Sequence, residues 1–232
     1  MTDQQIFIAQ LNIEHFRRRL DGRLNDTQRR LVERLLAEEE AKLSSLRAAN
    51  TEGILSTLLG LLASRAAGFL DGRDYRAPNP RRAELEAIFN EFPCAMSLID
   101  SCGKVVLANA AMRGFVAEAI PSRDPERIGR WRLFGPGGGV LDPAQWPGAR
   151  ALCGEAVNPG LAAVYVGDDG RETALRVAAV PIAGSDGSVW GAIGTVYEHS
   201  ALERQDVHDL LERILLDEQF RSQRPGREGS KR

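Results

Sequence analysis

The side chains that most often carry metal or redox chemistry are few in this chain and far apart: Cys94, Cys102, Cys153, His15, His199 and His208. No two cysteines form a CxxC pair, and an odd number argues against a secreted disulfide framework. No cysteine and histidine have the spacing of a zinc site. We find no Ser/His/Asp constellation and no paired-carboxylate signature. The sequence therefore predicts a protein that is not an enzyme.

Two short motifs could be mistaken for catalytic ones. The run Gly135–Gly139 lacks the Lys-Ser/Thr that follows a phosphate-binding loop, so we expect a flexible hairpin or loop there. His208-Asp209-Leu210 resembles a histidine-kinase phosphoacceptor box. Only 24 residues follow His208, too few for an ATP-binding domain. We expect a solvent-facing helical histidine, with a phosphoacceptor for a kinase in trans as the alternative.

The composition fits one domain with a helical extension. Of the 232 residues, 43% are apolar and 27% are charged, and the net charge is −2. That charge gives the molecule as a whole no reason to seek nucleic acid or an anionic membrane. The N-terminus lacks the pattern of a signal peptide. The most apolar segment, Ile54 to Leu70, is shorter than the roughly 20 residues that span a bilayer. We predict a cytoplasmic protein.

The pattern of the first 70 residues predicts a helical region. Apolar residues recur every three to four positions from Gln5 to Leu20 and again from Asn25 to Ala48, with Asp21-Gly22 as a turn between them. The short polar side chain of Asn25 suits a helix N-cap. This pattern predicts an αα-hairpin. Residues 51–70 predict a third helix, and residues 71–82, with Pro78 and Pro80, predict a linker.

The third helix is apolar around most of its circumference, so more than one neighbour must cover it. We expect a homodimer whose interface lies on this helix. The expected interface residues are Leu58, Leu59, Leu62 and Phe69. The competing account is intramolecular, with the N-terminal hairpin folding back to make a three-helix bundle.

Arginine is frequent in the hairpin: Arg17, Arg18, Arg19, Arg23, Arg29, Arg30 and Arg34. Four acidic residues lie among them. We therefore expect this face to be a solvent-exposed helical surface rather than a nucleic-acid-binding one. Residues 221–232 are also basic and predict a disordered tail. The alternative function is a transcriptional regulator that contacts nucleic acid through these helices or this tail.

The second half of the chain predicts strands. A short helix ends at Pro93, and Ala95–Asp100 and Lys104–Leu107 form two strands around a turn. Asn109 can then cap a helix. Three further strands, at 161–166, 173–180 and 188–197, follow a helical middle and are joined by Asp-Gly turns. This order predicts an α+β fold, with one antiparallel sheet and helices on one face.

The passages PCAMSLIDSCGKVVLANAAM, WPGARALCGE and VAAVPIAGSDGSVWGAIGTVYEHSALE resemble the PAS fold of bacterial sensor proteins. The resemblance covers residues 83–199 and rests on the motif residues Asp100, Gly103, Asn109, Pro181, Asp186, Gly187 and Gly191. It implies a five-stranded sheet that cups a small cavity. It also implies signalling through flanking helices, here including a C-terminal helix at 200–220.

The resemblance gives no ligand. Haem-binding members carry a histidine on a central helix and flavin photosensors carry an Asn-Cys-Arg motif, and both are absent here. We therefore expect no cofactor and a colourless protein. The cysteines are interpreted as small buried residues, and Trp131, Phe134, Trp146 and Trp190 as core and lid packing. The predicted function is a sensory and protein-interaction module in bacterial signal transduction, with a histidine kinase or regulator as a possible partner in trans.

Overall fold

The computed structural model describes residues 2–71, 80–202 and 204–223. Its helices are α1 (Thr2–Leu20), α2 (Asp26–Leu70), α3 (Pro80–Glu91), α4 (Pro147–Leu152), α5 (His199–Leu202) and α6 (Gln205–Gln223). Its strands are β1 (Ala95–Asp100), β2 (Val105–Ala108), β3 (Trp131–Phe134), β4 (Val157–Val166), β5 (Glu172–Ala183) and β6 (Val189–Tyr197). Single-turn 3₁₀ segments lie at Met112–Gly114, Pro121–Arg123, Ile128–Arg130 and Pro143–Gln145.

Helices α1 and α2 form the predicted αα-hairpin. Asn25 caps α2: its side chain accepts a hydrogen bond from Gln28 N at 2.9 Å, and the Gln28 side chain accepts one from Asn25 N. This reciprocal pair satisfies amides that the first helical turn leaves unpaired. Across the hairpin, Asn12 donates to Glu39 at 3.2 Å and Arg17 to Glu40 at 2.8 Å.

The prediction of separate second and third helices is wrong, because α2 runs unbroken for 45 residues. No glycine or proline interrupts residues 48–52, and the Thr51 hydroxyl donates to Arg47 O of the same helix at 2.9 Å. Among the described residues, α2 alone is long and apolar enough to cross a membrane on length and composition. A core helix of a soluble protein passes the same test, and much of the C-terminal half of α2 is buried within this chain.

Burial within the chain contradicts the dimer seam expected on this segment. Leu58, Leu59 and Leu62 have no exposed surface, and Phe69 is 1% exposed. These side chains pack in one core with residues of α3, α6 and the sheet. The cover is intramolecular, but the predicted three-helix bundle with the hairpin is also wrong, because the sheet, α3 and α6 provide the cover. Among the described residues, none of α1 belongs to this core.

Two of the predicted boundaries outside the sheet shift by a few residues. Helix α3 begins at Pro80, within the predicted linker of residues 71–82, because proline is well suited to the first position of a helix. Helix α6 continues to Gln223, past the predicted end at residue 220. Most of the linker, at residues 72–79, and most of the predicted tail, at residues 224–232, lie outside the described residues.

The sheet is antiparallel, as predicted, but it has six strands in the order β2-β1-β6-β5-β4-β3. The strand missing from the prediction is β3, which pairs with β4 at one edge. It has only four residues, too few for an alternating pattern to stand out.

Both faces of the sheet are covered, so the expectation of helices on one face is wrong. Helices α2, α3 and α6 pack on one face, against residues such as Met96, Leu98 and Ile193. The 3₁₀ segments and α4 cover the other face, where Ala95, Ile99 and Val196 lie. All six residues of β1 are buried, which is consistent with a strand that has apolar neighbours on both sides.

Candidate functional site: a cavity beside the sheet

Two Asx turns fix the hairpins of the sheet. Asp100 Oδ1 accepts hydrogen bonds from Cys102 N at 3.0 Å and Lys104 N at 2.9 Å, and Gly103 has a φ of +79°. Asp186 accepts from the backbone N–H and the hydroxyl of Ser188, at 2.9 and 2.6 Å, and these bonds lower the pKa of its carboxyl. Gly187 likewise has a φ of +79°. Both positions suit glycine, which has no Cβ to clash.

Asn109 is the most extensively bonded of the motif residues. Its Oδ1 accepts from Met96 N at 3.0 Å and Met112 N at 2.9 Å. Its Nδ2 donates to Phe89 O at 3.0 Å and Cys94 O at 2.8 Å. The side chain, 4% exposed, thus joins the end of α3, the start of β1 and the first 3₁₀ turn. The prediction that Asn109 caps a helix is wrong: the residue before the single 3₁₀ turn is Ala111, and Asn109 Oδ1 instead accepts a hydrogen bond from Met112 N from two residues further upstream.

Gly191 and Pro181 lie where β6 pairs with its neighbours. A Cβ on Gly191 would approach Ile99 O to 2.1 Å, so only glycine fits there without a shift of the backbone. Pro181 stands opposite Ala192 in the β5–β6 ladder. None of the seven motif residues lines the cavity described next, and their role in the structure is to position the strands.

A half-enclosed cavity of about 60 Å³ lies against the face of the sheet opposite α2. Strands β1, β5 and β6 form its floor, and the 3₁₀ segments, β3 and the start of α4 form its walls. Its apolar lining includes Ile99, Met112, Val116, Ile120, Leu133, Val177, Ala179 and Val196. No Asp, Glu, Lys, Arg or His lines the cavity within the described part of the chain. The interior therefore suits an uncharged molecule.

Two of the four aromatic residues expected in core and lid packing, Trp131 and Trp146, line this cavity, whereas Phe134 and Trp190 do not. Trp131 is 5% exposed, and its ring centroid lies 4.8 Å from that of Tyr165 and 5.8 Å from that of Phe115. Trp146 Nε1 donates to Leu141 O at 3.2 Å. Trp131 Nε1, by contrast, is buried without a hydrogen-bond partner.

The cysteines lie away from the cavity lining and differ from one another. Cys94 is buried, as expected, and burial raises the pKa of its thiol to about 11, although the Thr195 hydroxyl donates to its sulfur at 3.3 Å. Such a thiol stays protonated and unreactive near neutral pH. Cys102 and Cys153 are exposed, which contradicts the interpretation of all three as buried. Within the described ranges, no group of three His, Cys, Asp or Glu side chains could hold a metal ion.

Helix α2 lies directly behind the cavity and contacts both the sheet and α6. On β5, Val177 and Ala179 line the cavity. Ala178 also borders the cavity, but it belongs with Val180 to the core on the opposite face, which contains α2. Arg176 of β5 pairs with Glu52 of α2 at 3.4 Å. Two polar contacts then join α2 to α6. Arg65 pairs with the buried Glu218 at 2.8 Å, and Thr51 Oγ1 lies 3.1 Å from His208 Nδ1.

His208 is not the solvent-facing residue that we expected. Its side chain is only 12% exposed, and its Nε2 lies 3.1 Å from Glu212 Oε1. Since Nδ1 contacts Thr51, both ring nitrogens are engaged. Neither nitrogen is free to accept a phosphoryl group while α6 is docked, so this conformation does not support the alternative of a phosphoacceptor.

The arginines of the hairpin are partly neutralised. Arg17 pairs with Glu40 at 2.8 Å, Arg18 with Glu14 at 3.0 Å and Arg34 with Glu38 at 3.9 Å. These pairs reduce the positive charge that the hairpin offers to a phosphate backbone. The hairpin therefore presents a mixed surface of both charges, as the interleaved acidic residues predicted.

Solved PAS and LOV domains are among the structures similar to this chain. The PAS domain of a protein from Colwellia psychrerythraea is 19% identical and aligns over 51% of this chain and 93% of its own, with a TM-score of 0.33. That of an HTR-like protein from Haloarcula marismortui is 17% identical over 50% of this chain and 88% of its own, with a TM-score of 0.31. A LOV protein from Rhodobacter sphaeroides is 11% identical over 63% of this chain and 100% of its own, with a TM-score of 0.30. No family model and no curated protein matches the chain.

Proposed function

We propose that residues 83–199 form a PAS-type sensory domain that relays occupancy of its cavity to helices α2 and α6. The observation that carries the proposal is that a single sheet separates the cavity from α2. Alternate residues of β5 face the two sides, so a shift of this strand reaches the cavity and α2 together. Packed interiors transmit such shifts because they contain little free volume.

Contacts through β5 and α2 connect the cavity to α6. Ala179 lines the cavity, and its neighbours Ala178 and Val180 belong to the core that also includes α2. The Arg65–Glu218 pair and the contact between Thr51 and His208 then hold α6 on α2. The output that we propose is a change in how firmly α6 is held, which a partner protein would read.

We expect Ala179→Val, which fills part of the cavity, to slow amide hydrogen exchange in α6 several-fold. The added methyl groups stiffen β5, and the stiffer strand holds α2 and α6 more firmly. Exchange measured by mass spectrometry on the full chain tests this directly, because local opening limits exchange in the less stable elements. The matched control is Ala183→Leu at the exposed end of the same strand, which should leave α6 unchanged. Exchange changes confined to the lining of the cavity would contradict the relay.

We also propose a homodimer whose interface lies on α1 rather than on the C-terminal half of α2. Three large apolar side chains of this helix, Phe7, Ile8 and Leu11, are 59%, 44% and 49% exposed. Burying such a side chain completely contributes roughly 1.5–3 kcal/mol. The hairpin is only two helices thick, and a second hairpin would cover these residues in both copies at once.

Leu11→Glu is expected to convert a dimer into a folded monomer, because it puts a charge into the apolar centre of the proposed surface. Light scattering at several protein concentrations reports the mass, and circular dichroism reports the fold. Ala37→Glu adds the same charge at an exposed position of α2 and should leave the dimer intact. A wild-type protein that is monomeric at every concentration, or a Leu11→Glu protein that stays dimeric, would contradict this surface.

A further inference from the structure

Three residues with hydroxyl groups line the cavity: Ser97, Ser122 and Thr195. The Thr195 hydroxyl already donates to Cys94 Sγ at 3.3 Å. Ser122 lies on the 3₁₀ segment Pro121–Arg123 and is only partly buried, so water can reach it. Ser97 of β1 is 4% exposed, and its hydroxyl has no hydrogen-bond partner within the described part of the chain. A buried hydroxyl without a partner costs free energy and needs an explanation.

The alternation of side chains along β1 directs Ser97 toward the cavity. Met96 and Leu98 belong to the core on the α2 face, so Ser97 lies on the opposite face of the sheet, which carries the cavity. Gly194 pairs with Ser97 across β1 and β6, and it also lines the cavity. A Cβ on Gly194 would lie 3.2 Å from Ser97 Oγ. Because paired residues project to the same face, this distance places the oxygen on the cavity floor, where the glycine leaves room beside it.

Access distinguishes Ser97 from Trp131, whose indole nitrogen is also unpaired. Trp131 Nε1 is fully enclosed, so a ligand cannot reach it in this conformation. Among the described residues, the Ser97 oxygen is not one of the fully enclosed atoms that lack a partner, and it therefore keeps some accessible surface. A molecule in the cavity can bond to this oxygen without displacing a hydrogen bond that the protein already makes.

We propose that the cavity binds a small, uncharged, mainly apolar molecule with one oxygen that accepts a hydrogen bond from the Ser97 hydroxyl. The mainly apolar lining selects a hydrophobic body, and the absence of a charged side chain among the described lining residues disfavours an ion. An apolar cavity of about 150 Å³ holds benzene. The free volume of about 60 Å³ here therefore admits a smaller body than benzene. This inference rests on the proposed sensory function and adds to it the chemical class of the signal.

Acetone and isobutene are suitable probes, because they have nearly the same size and shape and only acetone carries an oxygen. The ¹³C-labelled methyl groups of methionine provide the readout, and Met→Leu variants assign their signals. Met112 lines the cavity, whereas Met96 lies in the core on the other face of the sheet. We expect both probes to move the Met112 signal more than the Met96 signal. Titration of the Met112 shift gives the dissociation constant of each probe.

The Ser97→Ala variant should bind acetone roughly five- to tenfold more weakly, the usual effect of one lost hydrogen bond. Its affinity for isobutene should not fall, because the apolar lining is retained. Since the hydroxyl has no partner in the free protein, the variant should also be no less stable than the wild type in urea. The matched control is Ser56→Ala, which makes the same change at an exposed position of α2 and should bind both probes like the wild type.

If neither probe moves the Met112 signal, the cavity does not take such a molecule and the inference is wrong. If Ser97→Ala weakens the binding of both probes equally, or of neither, the assigned role of Ser97 is wrong. The same conclusion follows if Ser122→Ala, rather than Ser97→Ala, lowers the affinity for acetone. Failure of the relay is separate. Acetone binding without any change of α6 exchange would leave the ligand class intact and contradict the sensory function.

Discussion

Replacing Asn109 with alanine is expected to destabilise the protein by about 3–5 kcal/mol, a large share of the roughly 5–15 kcal/mol that stabilises a typical domain. The amide makes four hydrogen bonds with backbone groups of three elements. Its loss leaves buried donors and acceptors without partners, at roughly 1–3 kcal/mol for each that water cannot reach. Urea denaturation followed by circular dichroism measures the change.

A second substitution separates the hydrogen bonds from the volume of the side chain. Asn109→Leu keeps a similar volume but makes none of the four bonds, so we expect a loss comparable with that of Asn109→Ala. The control is Asn90→Ala, at an exposed position in α3, which should change the free energy of unfolding by no more than about 0.5 kcal/mol. An Asn109→Leu protein as stable as the wild type would show that the bonds of Asn109 do not hold these elements together.

The sequence predicted the strands best where turns mark their ends. Strand β1 was placed correctly from Ala95 to Asp100, because Pro93 precedes it and Ser101-Cys102-Gly103 follows it. The side chain of Asp100 and the positive φ of Gly103 make that turn, so the signal lies in the residues themselves. The Asp186-Gly187 turn allowed the start of β6 to be placed within one residue in the same way.

Elements that depend on distant contacts were not predicted. Residues 131–134 become a strand only because β4 offers an edge, and a segment of four residues carries no period of its own. The burial of Leu58 and Leu62 was misassigned for a related reason. The apolar pattern showed that the helix needed cover, but not that the sheet and α6 would provide it.

The candidate site shows the same limit. The resemblance to PAS domains implied a small cavity, yet the seven motif residues lie outside its lining. The lining comes from segments far apart in sequence, such as Val116, Trp131 and Ala179. The unpaired donor of Trp131 could not be predicted, since it depends on which acceptors surround one nitrogen atom after folding.

Gly191→Ala is expected to destabilise the protein by about 3 kcal/mol or more, through a clash of backbone rather than the loss of a contact. A Cβ at this position would lie 2.1 Å from Ile99 O, an atom of the neighbouring strand β1. The two strands pair from Ala95↔Val196 to Asp100↔Gly191, so separating them at one end strains the ladder. Overpacking at a side-chain contact typically costs about 1–3 kcal/mol, and a backbone atom is less able to move away.

Gly194→Ala provides the matched control, because it lies three residues further along the same strand. Its Cβ would meet only Ser97 Oγ, at 3.2 Å, and that hydroxyl can rotate away. We therefore expect a loss of under about 1.5 kcal/mol for Gly194→Ala in the same urea titration. Equal losses for the two variants would mean that β1 and β6 do not approach each other closely at Gly191. A larger loss at Gly191 would establish that this glycine sets the spacing of the two central strands, which also form part of the cavity floor.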